Sequence, residues 1–147
     1  MMHQVLLIIH LLAATVWVGG HLILLLIYVP KAQKSNSLDG ISFFRKNFES
    51  IGMPALILLL ITGVLLAYYF DVSIDKWFQF KGGIERIVSI KLLLFISTLI
   101  LAISATKFIF PKLKNEPKPI LYGFIVLVTG IAVMMVVLGS LVRIGGI

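Results

Sequence analysis

The stretch VLLIIHLLAATVWVGGHLILLLIYV, residues 5–29, decides the fold of this chain. As a helix it would extend roughly 38 Å at ~1.5 Å per residue, which is longer than the ~30 Å hydrocarbon layer of a membrane. It therefore predicts a transmembrane helix, and Pro30 predicts the end of that helix. The same stretch holds two of the chain's three histidines.

The three histidines share one face of this predicted helix. At ~100° per residue, His3, His10 and His21 lie within about 20° of one line, which also carries Trp17 and Tyr28. Ionisable side chains inside a membrane are costly, and they usually face the interior of a helix bundle, where they serve function. The sequence therefore predicts a functional site along this face.

The composition excludes an ordinary soluble domain. The chain is 60% hydrophobic and 13% charged, whereas soluble domains are nearer half apolar and a quarter charged. The net charge of +7 comes from basic residues in loops beside apolar spans, so we expect membrane lipids as partners and no nucleic acid. Because the chain has no cysteine, a metal site would use His, Met, Lys, carboxylate or backbone oxygen ligands.

Three further apolar stretches, at about residues 51–70, 87–109 and 120–141, complete the predicted architecture. Four spans joined by short loops predict an all-α integral membrane protein, an up-down four-helix bundle that forms one domain over residues 1–147. The spacing of Phe43, Phe44 and Phe48 predicts a short interfacial helix before the second span. Pro54 falls in the predicted first turn of that span, where proline is tolerated.

The basic residues predict the orientation. The connections after the first and third spans, at residues 31–46 and 112–118, hold the positive excess, whereas the loop at residues 71–86 is formally neutral. Cytoplasmic loops carry the excess of Lys and Arg, so both termini are expected outside, in an N-out and C-out arrangement.

Several polar residues on different spans are predicted to lie at the same depth in the membrane. With this topology His10, Lys91 and either Met134 or Met135 lie at similar depths in the outer half, and we expect them to cluster. His21 is eleven residues from His10, roughly 16 Å along a helix, so one metal ion cannot bind both. The spacing therefore predicts two separate centres, one towards each membrane face.

Structural roles for the same residues stay open at this point. A membrane histidine can simply hydrogen-bond a carbonyl or hydroxyl across a helix interface, and methionine often only fills gaps. His3 lies at the interface, where it can be solvated, and Lys91 can extend its amine outward to water. Gly19 and Gly20 either admit a neighbouring helix or leave room for a flat ligand.

Three segments resemble known families: HLLAATVWVGG at residues 10–20, FESIGMPALILLLITGVLLAY at 48–68 and IERIVSIKLLLFISTLILA at 84–102. Over nearly the whole chain they resemble the CopD family of copper-resistance membrane proteins. A weaker similarity is to HemJ-type protoporphyrinogen oxidases, small four-helix proteins associated with b-type haem. That likeness implies that His10 and Lys91, matching a first-helix His and a third-helix Lys, are functional residues. Both likenesses imply a multi-pass protein of the bacterial inner membrane, and His21 belongs to neither core motif.

Three functions follow as hypotheses. The first is a haem b protein for electron transfer or oxidation of a small substrate, because imidazole is a common haem ligand. The second, implied by CopD, is copper transport or homeostasis, although soft Cu(I) prefers the sulfur ligands that this chain largely lacks. The third is an accessory subunit of a larger membrane complex. The cofactor-binding candidates are His10, His21, Lys91, Trp17 and Met134, and the metal candidates are His3, His10 and His21.

A second axial haem ligand is harder to assign, because no other span supplies a histidine. Each iron would be five-coordinate, use Lys91 or a methionine, or take a histidine from the second copy of a homodimer.

Overall fold

The chain is helical through most of its length. The computed structural model describes residues 1–113 and 119–146. Its α-helices are α1 (Met2–Ile23), α2 (Val29–Ser35), α3 (Asp39–Tyr69), α4 (Gly83–Ser104) and α5 (Pro119–Leu141). Two π-helical turns, Leu24–Tyr28 and Ala105–Ile109, follow α1 and α4, and short 3₁₀ turns lie at Ile74–Lys76, Phe110–Lys112 and Val142–Ile144.

These helices form four segments long and apolar enough to cross a membrane: Met2–Ser35, Asp39–Tyr69, Gly83–Lys112 and Pro119–Ile144. The prediction of an all-α chain with four such helices is confirmed. In each segment at most 33% of the most apolar stretch is buried within the protein. Large apolar side chains such as Leu12 and Leu26 therefore face outward around the bundle.

The four segments run alternately up and down. One buried apolar cluster joins the C-terminal ends of the first and third segments to the N-terminal ends of the second and fourth. Its buried members are Val29, Ala32, Leu38, Ile41, Ile109, Leu113, Leu121 and Ile125. We call this the basic end, because Lys31, Lys34, Lys46 and Lys112 flank the cluster in sequence. The opposite end, which holds both chain termini, is the terminal end.

Helix α1 lies at the centre of the arrangement. It packs against both α3 and α5, and α4 packs against α5. Within the described residues, α3 and α4 make no comparably extensive contact. Helices α1 and α5 therefore each have two helical neighbours, and α1, which carries all three histidines, makes its most extensive contact with α3.

The prediction that Pro30 ends the first helix is wrong. The π turn at Leu24–Tyr28 leads directly into α2, which carries Pro30 in its first turn and ends at Ser35, and Asn36 after it is left-handed (φ 51°). Proline lacks an N–H and its ring clashes with the carbonyl four residues earlier, and a local π turn can relieve this mismatch. Pro111 follows the π turn at Ala105–Ile109 in the same way.

The predicted short interfacial helix does not exist as a separate element. Helix α3 runs without a break from Asp39 to Tyr69, so Pro54 lies well inside it rather than in a first turn. One face continues through the proline, because Phe48, Gly52 and Ala55 are spaced four and three residues apart and face the rest of the bundle. Pro54 itself points outward. Tertiary packing on that face holds the helix together where propensity predicts a boundary.

Part of the predicted basic turn lies outside the described residues, since Lys114, Glu116, Pro117 and Lys118 fall there. Lys112, at the end of the third segment, is described.

Candidate functional site on the histidine face

The predicted face of α1 contacts α3 along its whole length. From the terminal end to the basic end, His3 stacks on Tyr69, His10 binds Thr62, and His21 packs edge-on against Phe48. The residue numbers of these partners decrease along α3 as the residue numbers of the histidines increase along α1, as expected for antiparallel helices. The histidine face therefore looks into the α1/α3 interface.

His10 is joined to α3 by a hydrogen bond. Its Nδ1 lies 2.7 Å from the Thr62 hydroxyl, and that hydroxyl lies 2.5 Å from the backbone oxygen of Leu58. The edge of the ring rests on Gly63, where an added Cβ would lie 3.4 Å from His10 Cε1. The small residue beside Thr62 lets the imidazole approach the α3 backbone closely. Thr62 itself is only 4% exposed, so its hydroxyl is buried in the α1/α3 interface.

Lys91 approaches the same level from α4. His10 and Lys91 are each eight residues from the start of their helices at the terminal end, a depth of ~12 Å. Lys91 is near enough for its charge to act on His10 electrostatically. Its amine lies against α5, because a Cβ at Gly139 would be 3.5 Å from Nζ. The lysine therefore extends into the α4/α5 contact and not outward from the bundle.

Lys91 has no acidic partner among the described residues. The structure shows no ion pair or hydrogen bond to its amine there, and none of the four predicted spans contains Asp or Glu. A buried ammonium without a counter-ion is costly. The arrangement can therefore accept a ligand that brings an anionic group, or a metal ion that binds a neutral amine.

His21 lies in an aromatic cluster nearer the basic end. Its Nδ1 is 2.8 Å from the backbone oxygen of Trp17, which accepts the ring N–H. The Trp17 ring is tilted against it at 4.4 Å between centroids, and Phe48 meets it edge-on at 6.1 Å. Phe44 and Tyr28 continue the cluster towards the basic end, with ring centroids 4.9 Å apart. Trp17, predicted near a cofactor, is thus a wall of the His21 environment.

The two glycines before His21 differ in their surroundings. A Cβ added at Gly20 would overlap Cε2 and Cζ of Phe48, whereas a Cβ at Gly19 would meet nothing within 4 Å. On the other side of the ring, a Cβ at Gly52 would lie 2.6 Å from Phe48 Cε1. The space at Gly20 is therefore filled by the Phe48 side chain of a neighbouring helix.

The remaining candidates lie apart from the His10 and Lys91 pair. His3 is stacked on Tyr69 at 4.2 Å and lies edge-on to Phe70 at 5.7 Å, and its buried Nε2 has no hydrogen-bond partner within residues 1–113 and 119–146. Met134 is 51% exposed on the surface of α5, while its neighbour Met135 is partly buried. Across residues 1–113 and 119–146, no three His, Cys, Asp or Glu side chains come together as a metal-binding group.

Sequence reasoning missed three residues that shape this site: Thr62, Gly63 and Gly139. Thr62 lies seven residues before the end of α3, a depth of ~10 Å, so the depth matching that paired His10 with Lys91 could have found it. The two glycines gave no comparable indication, because apolar spans hold many small residues whose neighbours only the fold reveals.

Comparisons of the chain with protein-family models, with curated proteins and with solved structures found no match. The likeness to CopD and HemJ-type proteins therefore stays a prediction from the quoted segments.

Proposed function

We propose that this chain is a multi-pass membrane protein with both termini outside, in the inner membrane of a bacterium. The four apolar segments, the outward-facing apolar side chains and the location of Lys31, Lys34, Lys46 and Lys112 at one end support this arrangement. Membrane lipids would cover the apolar surface.

We further propose that the protein holds haem b at the level of His10 and Lys91 and serves in electron transfer or in the oxidation of a small substrate. The observation that carries this proposal is the pairing itself. The His10 imidazole and the Lys91 amine lie at the same depth on two different helices, and the amine has no counter-ion among the described residues. Both helices are otherwise largely apolar at this depth. Such intramembrane groups are functional-site candidates by default.

The residues present fit a haem group. The His10 imidazole would bind the haem iron, since histidine is a common protein ligand of haem. Lys91 would either bind the iron as a neutral amine or bind a propionate as a cation. Gly63 and Gly139 leave backbone, not side chains, beside these two groups. When bound, the haem would supply a one-electron redox couple, while the chain holds it, orients it and excludes water.

Copper is the alternative outcome. The chain has no cysteine, its described residues contain no group of three ligand side chains, and Met134 faces outward. These features favour haem, which needs only one or two protein ligands, over a copper ion held by protein ligands alone.

An optical spectrum of the full chain, purified from membranes, tests the proposal. We expect a Soret band with sharp α and β bands on reduction, weaker in His10→Ala and of unchanged intensity in the matched control His3→Ala. A colourless preparation with stoichiometric copper would favour the second hypothesis. A preparation without haem or metal would favour an accessory subunit, and equal losses in both variants would place the cofactor at the surface.

A further inference from the structure

Thr62 can act on His10 in only one of two ways. The hydroxyl has a single proton, and two acceptors lie within hydrogen-bond distance: the Leu58 oxygen at 2.5 Å and His10 Nδ1 at 2.7 Å. If the proton goes to Leu58, the hydroxyl oxygen must accept, and Nδ1 must carry a proton to donate. If the proton goes to Nδ1, the imidazole proton must sit on Nε2.

The other threonines indicate where the proton goes. Every one of them donates its hydroxyl to the backbone oxygen four residues earlier, at 2.7–3.0 Å, a common arrangement inside helices. These residues are Thr15, Thr98, Thr106 and Thr129. Thr62 follows the same rule, so its oxygen is left to accept from His10.

The surroundings of Nε2 support the same choice. No hydrogen bond to Nε2 of His10 is present in the described part of the chain. A proton on Nε2 would therefore leave an N–H donor without a partner among the described residues, and an unmade hydrogen bond of this kind is unfavourable. A lone pair on Nε2 avoids that cost and remains able to bind a metal.

We propose that Thr62 is a positioning residue for the His10 site: it holds the imidazole with its proton on Nδ1 and its lone pair on Nε2. Nδ1 and Cε1 face Thr62 and Gly63 on α3, and Nε2 is the ring atom next to Cε1. Metal-binding histidines generally donate their second ring N–H in this way. The tautomer of His10 does not depend on the proposed function. Its consequence, that Nε2 would bind the haem iron, does rest on that function.

Nitrogen NMR tests the tautomer without any cofactor. With only three histidines in the chain, ¹⁵N-histidine labelling of the full chain in micelles, before haem is added, gives three pairs of ring signals. We expect a protonated Nδ1 and an unprotonated Nε2 for His10 in the wild type and in Thr62→Ser, and a shift towards the other tautomer in Thr62→Val. His21, whose Nδ1 donates to the Trp17 oxygen, is the internal control and should not change.

Haem titration then measures the consequence. Loss of such a supporting hydrogen bond weakens metal binding by about 10–100-fold, so Thr62→Val should raise the Kd for haem by that factor while Thr62→Ser restores it. The matched control is Thr98→Val, which removes another buried threonine hydroxyl, 3% exposed, from α4.

Three results would overturn the inference. These are a wild-type His10 with its proton on Nε2, a His10 spectrum that Thr62→Val leaves unchanged, and a loss in Thr98→Val equal to that in Thr62→Val. If Thr62→Val does not fold, the wild-type tautomer still decides. A chain with the expected tautomer but no affinity for haem would refute the proposed function and leave the role of Thr62 on His10 standing.

Discussion

Adding one methyl group at Gly20 should destabilise the protein, whereas adding it at Gly19 should not. In Gly20→Ala the new Cβ would overlap the Phe48 ring, far inside the 3.0 Å below which such contacts essentially never occur. The other edge of the Phe48 ring lies close to the Gly52 backbone, where a Cβ, if present, would be 2.6 Å from Phe48 Cε1, so the ring has little space to move in that direction. Gly19 has no neighbour within 4 Å of its Cβ position.

The expected magnitude follows from the cost of overpacking. An extra methyl in a filled interface costs about 1–3 kcal/mol, which corresponds to a fall in Tm of roughly 2–12 °C for a chain of this length. Gly19→Ala should be neutral or stabilising by up to about 1 kcal/mol, because alanine is the better helix former. Thermal unfolding in one detergent, followed by circular dichroism, compares the two variants directly.

A double variant identifies the ring as the cause. Phe48→Leu removes the overlapping atoms, so Gly20→Ala should cost less in that background than in the wild type, with a coupling energy of about 0.5–3 kcal/mol. Equal destabilisation by Gly19→Ala and Gly20→Ala would refute the reasoning. Unchanged stability with weaker cofactor binding in Gly20→Ala would mean that Gly20 makes room for a flat ligand instead.

Three further predictions concern the site and its orientation. A reporter fused after Ile147 should be active in the periplasm; cytoplasmic activity would invert the topology. Lys91→Met should preserve haem ligation if the amine binds iron, and Lys91→Arg should preserve binding if its charge pairs with a propionate, as read from the spectrum and the haem content. If neither change has an effect, Lys91 is a structural anchor. Haem content per chain should be near two in the wild type and near one in His21→Ala; a wild-type content of one that His21→Ala leaves unchanged would make His21 structural.

The periodicity of α1 was sufficient to place its polar residues on one face, because the α-helical repeat holds from Met2 to Ile23. The helix ends were harder to predict. Pro30 and Pro54 are strong local signals for a boundary, but a π turn accommodates the first and continuous packing of one α3 face overrides the second. The helix propensity of a single residue predicts a helix end poorly where tertiary contacts continue across that residue.

Depth could be predicted from the sequence, but contact could not. Counting residues from the span ends placed His10 and Lys91 at one level, and their helix positions agree with that count. The same count gave Met134 a similar level, yet its side chain is half exposed on α5. Rotation of a helix about its own axis depends on its neighbours, and a span that is apolar all round carries little information about that rotation.

The neighbours on α3 are what make the three histidines chemically different. All three lie on one line of α1, so helical periodicity alone does not distinguish them. Within the described residues, the His3 ring meets aromatic rings, the His21 ring donates to a carbonyl of its own helix, and the His10 ring is the only imidazole that binds a side-chain hydroxyl of another helix. A hydrogen bond between helices fixes the imidazole relative to both of them, and Lys91 lies near this ring. For this reason His10 is the histidine whose replacement should change cofactor binding most.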